Sequence, residues 1–366
     1  MGMNKTVGCC ILAMAIATGY TWAGEYENCV KVAHNKSICK EAVAGDKKAA
    51  EAITLLCLEK ENATCTAKWA KKAADLGSAV GMFVYGQSVV LGARTALDQA
   101  KGFTYIEKAA QAGHPLAQKA LGDMYSDGIG TPASSKDAAL WYKKSADKGI
   151  AEAALEYAEL LYMGTGVPEN RPEAFKYFSL AASKGLPKAQ FMLGMSYEKG
   201  FGTKVDYKQA IAWYERAGQA GEGAAFFNLG RMYMEGLGVA KNETQGVSYI
   251  TKAAKMDVGP AQNYLGNLYI QGTGVKQDQR VAVEYFVKSA KNGYSLGQFN
   301  LGMAFYGGVG VKQDLMTSYV WFKTASNCYP KAESIAEQIA KKLTPEIQVR
   351  GNILANQYLS RFGCQR

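Results

Sequence analysis

The sequence repeats itself every 36 residues, and this period limits what the chain can fold into. One column of the repeat holds only tryptophan or tyrosine, eight times without an insertion: Trp69, Tyr105, Trp141, Tyr177, Trp213, Tyr249, Tyr285 and Trp321. A second column, from Tyr85 to Leu301, is mostly leucine and is followed by glycine in six of its seven members. Such strict self-similarity is typical of stacked structural repeats. It replaces the two or more compact domains that 366 residues would otherwise suggest.

Each repeat is predicted to hold two amphipathic helices. In residues 189–221, apolar side chains recur at helical spacing up to Gly200, a polar turn follows, and a second apolar series ends before Gly221. Forty glycines against eight prolines fit this plan, because the glycines fall in a few columns. Mid-helix glycines such as Gly122 predict that a neighbouring helix crosses there and leaves no room for a side chain. Loop glycines such as Gly128 predict positive φ angles after the first helix.

These columns resemble Sel1-like repeats. The resemblance rests on segments such as LGDMYSDGIG (121–130), NLGRMYMEGLGV (228–239) and YLGNLYIQGTGV (264–275), each followed by a second helix like AIAWYERAGQAG (210–221). It implies an all-α fold, a right-handed α-solenoid of about eight 36-residue helix-turn-helix repeats. Residues 79–330 hold seven clear repeats, and residues 45–78 form a degenerate one.

The two ends of the chain are predicted to differ from the repeats. Residues 1–23 read as a secretory signal peptide, with Lys5 before a short apolar run and cleavage after Ala23. We therefore expect an exported protein, periplasmic or secreted, without a transmembrane segment after cleavage. Residues 24–44 are expected to form an N-terminal cap and residues 331–366 a helical C-terminal cap. In that cap, one helix runs from Lys331 to Leu343 and another starts at Pro345 behind the N-cap residue Thr344.

Export changes the interpretation of the cysteines. Of eight cysteines, two precede the predicted cleavage site and six remain. Disulfides are favoured over a metal cluster or reactive thiols, because the compartment is oxidising and the chain has no CxxC motif and only two histidines. The four N-terminal cysteines allow three pairings, and proximity favours Cys29–Cys39, Cys57–Cys65 and Cys328–Cys364. The Cys57–Cys65 pair also resembles the cysteine pairs of the Helicobacter cysteine-rich branch of the family.

A candidate protein-binding surface follows from the resemblance, which implies that first helices line the concave face of the solenoid. Its outward positions would form an apolar, methionine-rich groove for a peptide or helix. These positions are Tyr162, Phe191, Met195, Phe227, Arg231, Met234, Asn267, Ile270, Phe299, Met303 and Tyr306. In the alternative interpretation the same side chains pack between repeats. The tryptophan and tyrosine column is predicted to be inter-helix core rather than a ladder for sugars or bases.

No catalytic, cofactor or metal site is predicted. His34 and His114 have no evident nucleophile or metal partner, and the Gly-x-Gly pairs lack the Lys-Ser/Thr of a phosphate-binding loop. Removal of Lys5 with the signal peptide lowers the formal charge from +10 to +9. The lysines look scattered along the helices, so we expect no nucleic-acid partner. The charge favours an acidic protein partner or an anionic envelope surface, and we expect a monomer.

The function predicted from the sequence is a non-catalytic scaffold or adaptor for protein–protein interactions in the bacterial envelope or with a host. The family resemblance implies roles in envelope signalling, virulence or complex assembly. It also leaves two alternatives open. One is a periplasmic immunity protein that neutralises a phospholipase effector of type VI secretion. The other is β-lactam binding or weak β-lactamase activity, as described for cysteine-rich relatives.

Overall fold

A computed structural model of the protein describes residues 41–42 and 45–363. These residues form eighteen α-helices, and no β-strand occurs among them. The chain divides into two compact units, the first ending at Ala181 and the second beginning at Ala182. None of the helices in the described ranges is long and apolar enough to cross a membrane. The predicted signal peptide (1–23), most of the predicted N-terminal cap (24–44), Cys29, Cys39 and Cys364 lie outside the described residues.

First and second helices alternate along the chain, as the 36-residue pattern predicts. The helices that begin in the first unit are α1 (Lys47–Glu59), α2 (Ala63–Asp75), α3 (Ala79–Leu91), α4 (Ala96–Gln111), α5 (Pro115–Asp127), α6 (Ser135–Ala146), α7 (Ala151–Met163) and α8 (Arg171–Ser183). Those of the second unit are α9 (Pro187–Lys199), α10 (Tyr207–Gln219), α11 (Gly223–Glu235), α12 (Glu243–Lys255), α13 (Gly259–Gln271), α14 (Gln279–Lys291), α15 (Ser295–Gly307), α16 (Leu315–Ser326), α17 (Lys331–Ala340) and α18 (Pro345–Phe362). From α1 to α7 and from α9 to α17, each helix packs against the next one in sequence.

The loop within a repeat lies between a glycine that ends the first helix and an aspartate that caps the start of the second helix. Helix α9 ends at Gly200, which has φ +73°, and its N–H donates to the carbonyl of Ser196. A residue with a Cβ is disfavoured in this left-handed conformation. Helix α10 begins after Asp206, whose carboxylate accepts from the backbone N–H of Gln209 at 3.0 Å. The predicted positive φ angles of the loop glycines are thus confirmed, as in Gly128 at +70°.

The mid-helix glycines lie where a second helix crosses its own first helix, as predicted. A Cβ built on Gly194 of α9 would lie 2.7 Å from the ring carbon Cδ1 of Tyr214 on α10. The same clash would occur between Gly122 and the Tyr142 ring, at 2.5 Å. Since real Cβ atoms do not come so close to a ring, glycine is needed at these two positions for packing and not for backbone conformation, whereas the equivalent residue in the repeat between them is Ala158.

The side chain that packs against these glycines is not the tryptophan or tyrosine of the repeating column. It is the side chain of the next residue in sequence. That next column is buried throughout the seven clear repeats: Ile106, Tyr142, Phe178, Tyr214, Ile250, Phe286 and Phe322. The tryptophan and tyrosine column itself is half-buried, except for Trp321, which is 6% exposed. The expected inter-helix core therefore lies one residue further along, and the aromatic column forms its rim.

The C-terminal cap covers the last repeat. Thr344 is the N-cap of α18, with its side chain accepting from the N–H of Ile347, as the sequence predicts. Helix α17 ends at Ala340, three residues before the predicted Leu343. Helix α18 packs against α16, where the Trp321 ring lies 4.8 Å from the Tyr358 ring. This contact buries Trp321.

The disulfide prediction is confirmed for one pair. Cys57 and Cys65 are bonded, with their Cα atoms 5.5 Å apart, and they bridge the turn between α1 and α2. Cys328 is also disulfide-bonded. Its predicted partner, Cys364, lies outside the described residues, as does the predicted pair Cys29–Cys39.

The glycine crossing can be tested with two alanine substitutions in one unit. Gly194→Ala should destabilise the protein by about 1–3 kcal/mol, because the new methyl group overlaps the Tyr214 ring. The matched control is Gly307→Ala in α15, where the nearest atom to the added Cβ, on Val309, is 3.5 Å away. It should be neutral or stabilise by up to about 1 kcal/mol, the helix-propensity gain. Chemical denaturation of both variants measures the difference, and equal effects would contradict the packing argument.

Candidate functional site

The candidate surface is the row of first helices in the second unit, α9, α11, α13 and α15. We call it the first-helix row. Within it, α11 approaches α13 and α13 approaches α15, whereas the second helices between them approach each other less closely. Ten of the eleven predicted binding residues lie on this row. The eleventh, Tyr162, lies on α7 in the first unit, where the Arg171 guanidinium is 5.6 Å from its ring centroid.

The predicted residues differ in how far they reach the surface. Met303 is 43% exposed. Nine others are half-buried: Tyr162, Phe191, Met195, Phe227, Arg231, Asn267, Ile270, Phe299 and Tyr306. Met234 is only 7% exposed. The row therefore presents partial faces of aromatic and aliphatic side chains rather than a fully open apolar groove.

The three phenylalanines of the first-helix row are each partly packed against another ring and partly exposed. The Phe191 ring lies 5.8 Å from that of Tyr214, and the Phe227 ring lies 5.8 Å from that of Tyr264. Phe299 makes a similar contact with Phe322 at 5.3 Å. Packing between helices, the alternative interpretation, thus accounts for one part of each ring, and the other part remains accessible to solvent.

The expectation that Met234 is exposed is wrong. Its side chain packs over α12 at Gly246, where an added Cβ would lie 2.7 Å from both Cγ and Sδ of the methionine. Gly246 leaves a hollow, and the flexible Met234 side chain fills it, joining a core cluster with Ile250 and Leu265. Its position in the helical repeat predicts that Met234 points outward, but the space left by Gly246, 12 residues later, allows its side chain to pack inward.

A buried carboxylate on α9 is the feature that sequence reasoning missed. Glu198 stands in the same 36-residue column as Tyr162 and Met234, but its side chain is only 2% exposed. One carboxylate oxygen accepts from Arg231 at 2.9 Å, and the other accepts from the Tyr214 hydroxyl at 2.7 Å. Lys199 also pairs with it at 2.6 Å. A charged residue in a column that is otherwise uncharged from Val90 to Tyr306 was the signal that could have revealed this cluster.

Electrostatics explain why Glu198 is stable in this position. Burial alone would raise its pKa, but the hydrogen bonds from Lys199 and Tyr214 and the charge of Arg231 outweigh burial and lower the pKa below its usual value. The Tyr214 hydroxyl has a raised pKa, because it is buried and lies beside the carboxylate. Arg231 is thereby anchored with 27% of its side chain exposed, and its buried Nε has no hydrogen-bond partner. Part of the Arg231 side chain is thus exposed on the first-helix row while Glu198 holds its guanidinium.

The contribution of this cluster can be measured by substituting Glu198→Gln. We expect a loss of about 2–4 kcal/mol, because Arg231 would stay half-buried without its counter-charge. Since the folded pKa of Glu198 is lowered, the advantage of the unmodified protein is full above the ordinary value of 4.5 and shrinks as the pH falls below it. Denaturant titrations at several pH values measure both effects. Glu235→Gln, at an exposed position of α11, is the control and should change stability by less than about 0.5 kcal/mol.

His114 has a structural role in the first unit. Its Nδ1 accepts from the N–H of Ala117 at 3.2 Å and so caps α5, and its ring stacks on Phe83 at 4.9 Å. Burial, with a smaller effect of the Lys148 charge, lowers the pKa of His114 to about 4. The neutral imidazole is the form that can accept this hydrogen bond. His34 lies outside the described residues. In the described ranges, no group of three or more metal-ligating side chains could hold an ion.

The His114 cap predicts a pH-dependent stability. A folded pKa below the unfolded value stabilises the protein above pH 6.5, and this contribution is lost as the pH falls from 6.5 to about 4. The loss should reach up to about 3 kcal/mol. His114→Asn keeps an N-cap acceptor that does not titrate, so its stability should change less over this interval. Thermal or denaturant unfolding from pH 7 to pH 4 compares the two proteins, and parallel curves would contradict the assignment.

Comparison with known proteins gives consistent results. The Sel1 repeat family model matches eight segments: residues 66–78, 81–114, 115–150, 151–186, 187–222, 224–258, 259–294 and 295–328. None of the curated proteins matches the sequence significantly. The precise borders expected for the caps and for the degenerate repeat stay predictions.

Two solved structures resemble the chain along most of its length. A Sel1 repeat protein from Oxalobacter formigenes is 27% identical, with 84% of this chain and 89% of that chain covered and a TM-score of 0.69. A protective antigen of uropathogenic Escherichia coli with an SLR fold is 28% identical, with coverage of 89% and 79% and a TM-score of 0.60. An immunity protein from Pseudomonas aeruginosa is 20% identical over 62% of this chain and 81% of that chain, with a TM-score of 0.39. That last similarity carries no information on function.

Proposed function

Because the chain belongs to the Sel1 repeat family, we propose that it is a non-catalytic scaffold that binds another protein on the first-helix row. Sel1 repeats typically mediate protein interactions. The observation that supports this surface is the combination on α11 of an anchored, partly exposed Arg231 with the half-buried Phe227, together with the half-buried Met195 on α9. Arginine and aromatic side chains dominate the energetics of protein interfaces, especially where neighbouring contacts already hold them in place.

The partner would meet a preformed surface. Phe227 is held by Tyr264 and Arg231 by Glu198, so neither side chain loses much conformational freedom on binding. Met303 on α15 adds an exposed, flexible apolar contact. The charges of the first helices do not by themselves favour an acidic protein partner. Together these helices hold seven acidic and four basic side chains, counted over α3, α5, α7, α9, α11, α13 and α15. We propose export to the periplasm or the cell exterior on the basis of residues 1–23. The monomeric state, the immunity alternative and the β-lactam alternative stay predictions.

The proposal is tested by capture from the envelope fraction with three forms of the full chain. The variant Met195→Ala/Phe227→Ala/Arg231→Ala should lose partner capture at least about tenfold, because it removes the proposed anchors. A control variant, Lys204→Ala/Val205→Ala/Met256→Ala, changes exposed residues away from the first-helix row and should capture normally. Quantitative mass spectrometry of cross-linked material compares them.

A second variant protects this test from a folding artefact. Met303→Glu alters a side chain that is 43% exposed, so it should keep the thermal stability of the unmodified protein while weakening capture. If both the triple variant and Met303→Glu capture the same partners at unchanged levels, the first-helix row is not the binding surface.

A further inference from the structure

The positive charge of this protein is concentrated on one face of the second helices. Six positions of each second helix point outward, at −5, −4, −1, +3, +6 and +7 from the tryptophan or tyrosine of the repeat. Across the seven repeats from Trp69 to Tyr285 these positions hold sixteen basic and five acidic side chains, a net charge of +11 against +10 for the whole chain. These sixteen of the 42 basic side chains are scattered along the sequence, but the helical period places them on one face of the second helices.

In the second unit this face is almost purely basic. We call it the basic face, and it consists of the outward positions of α10, α12 and α14. Its cations are Lys208, Arg216, Lys252, Lys255, Arg280, Lys288 and Lys291, all of them exposed. Its single carboxylate is Glu284. Two further carboxylates lie beside it, with Glu243 paired to Lys241 at 2.8 Å and Glu215 half-buried near the Tyr249 hydroxyl.

Three of these cations lie over the rings of the repeating aromatic column. The Arg216 guanidinium is 4.5 Å from the Trp213 ring centroid, and the Lys252 ammonium is 5.0 Å from that of Tyr249. The Lys288 ammonium is 5.1 Å from the Tyr285 ring centroid. Each ring supports the alkyl stem and attracts the charge, so one cation per repeat is held in a similar place. This order lowers the entropy that an anionic ligand would have to remove.

A small polar cleft lies next to one of these cations. It has a volume of 270 Å³ and is lined by Asn242, Thr244, Gln245, Ser248, Tyr249 and Lys252. Amides and hydroxyls thus surround a single charge. A cleft of 540 Å³ in the first unit is lined at the same six positions 72 residues earlier, from Asn170 to Leu180. The same positions thus form a cleft in two repeats, although the first-unit cleft has Glu173 and Leu180 where the second has Gln245 and Lys252.

The last repeat shows what this face looks like when protein covers it. On α16 the outward positions carry no charge at all, and Thr324 replaces the cation. There α18 packs on Trp321. The basic face has the opposite character, with seven exposed cations and a single exposed large apolar side chain, Met256, among its outward positions. Protein interfaces need apolar anchors that exclude water. The basic face therefore suits a hydrated, anionic ligand better than a folded protein.

We propose that the basic face binds an acidic polysaccharide. Carboxylates spaced along the polymer would meet Arg216, Lys252 and Lys288, one in each repeat. Sugar hydroxyls would bond to the amides and hydroxyls of the cleft beside Lys252. This site is separate from the first-helix row, so the protein would hold a partner on one row of helices and an anionic glycan on the other. The proposal does not depend on the proposed scaffold function.

The test uses polygalacturonate as the probe, with the full chain in a low-salt buffer. The variant Arg216→Glu/Lys252→Glu/Lys288→Glu should bind the polymer on the order of tenfold more weakly or worse, because three attractive contacts become repulsive. The matched control, Lys204→Glu/Lys276→Glu/Lys312→Glu, makes the same change in net charge at exposed loop lysines of the same unit. It should stay within about twofold of the unmodified protein. Circular dichroism and thermal melting check that both variants fold.

Parallel arms with other probes identify the kind of ligand. Dextran is the uncharged polysaccharide, polyglutamate the acidic polypeptide, and phosphatidylglycerol–phosphatidylcholine vesicles the anionic membrane. Binding of polygalacturonate that exceeds all three and is lost only in the basic-face variant supports the proposal. It is overturned by equal losses in both variants, by no binding of polygalacturonate, or by equal or tighter binding of polyglutamate or vesicles, which would indicate a protein or membrane partner instead.

Discussion

The close crossing of a first helix over its own second helix is the contact on which the rest of this structure depends. At Gly194 and Gly122 the missing side chain lets a tyrosine ring of the second helix lie against the first-helix backbone. Because interiors are densely packed, the ring and the glycine must stay in register from repeat to repeat. The 36-residue period without insertions is the sequence record of that requirement.

This crossing separates two surfaces of different chemistry. The residue after the tryptophan or tyrosine of each repeat faces the core. The tryptophan or tyrosine itself therefore lies at the rim of the core, and the residue three positions after it lies over its ring on the solvent side. That geometry places Arg216, Lys252 and Lys288 on rings along the second helices. The first helices instead present aromatic and methionine side chains, with Arg231 held by a buried carboxylate. One repeat thus supplies both the face proposed to bind an anionic glycan and the row proposed to bind a protein.

The buried tyrosine hydroxyls show that equivalent tyrosines can bond to carboxylates with opposite pKa shifts. Tyr142 donates to Asp123 at 2.9 Å, as Tyr214 does to Glu198. The pKa of Asp123 is raised because burial outweighs its pairing with Lys119, whereas the pKa of Glu198 is lowered by its hydrogen bonds and Arg231. The difference arises from the extra cations beside Glu198. Only the second of these carboxylates anchors a cation on the candidate surface.

Sequence patterns alone predict the repeat, the two helices in it, the positive φ of the loop glycines, the Thr344 cap and the Cys57–Cys65 bond. These features depend on local conformation or on contacts that recur at a fixed spacing. Whether a given side chain is buried or exposed depends, in contrast, on how neighbouring helices pack around it. Met234 is turned inward because Gly246 leaves a hollow, and Glu198 is buried because three donors surround it. Such outcomes depend on partners far away in sequence, and helical spacing alone does not identify those partners.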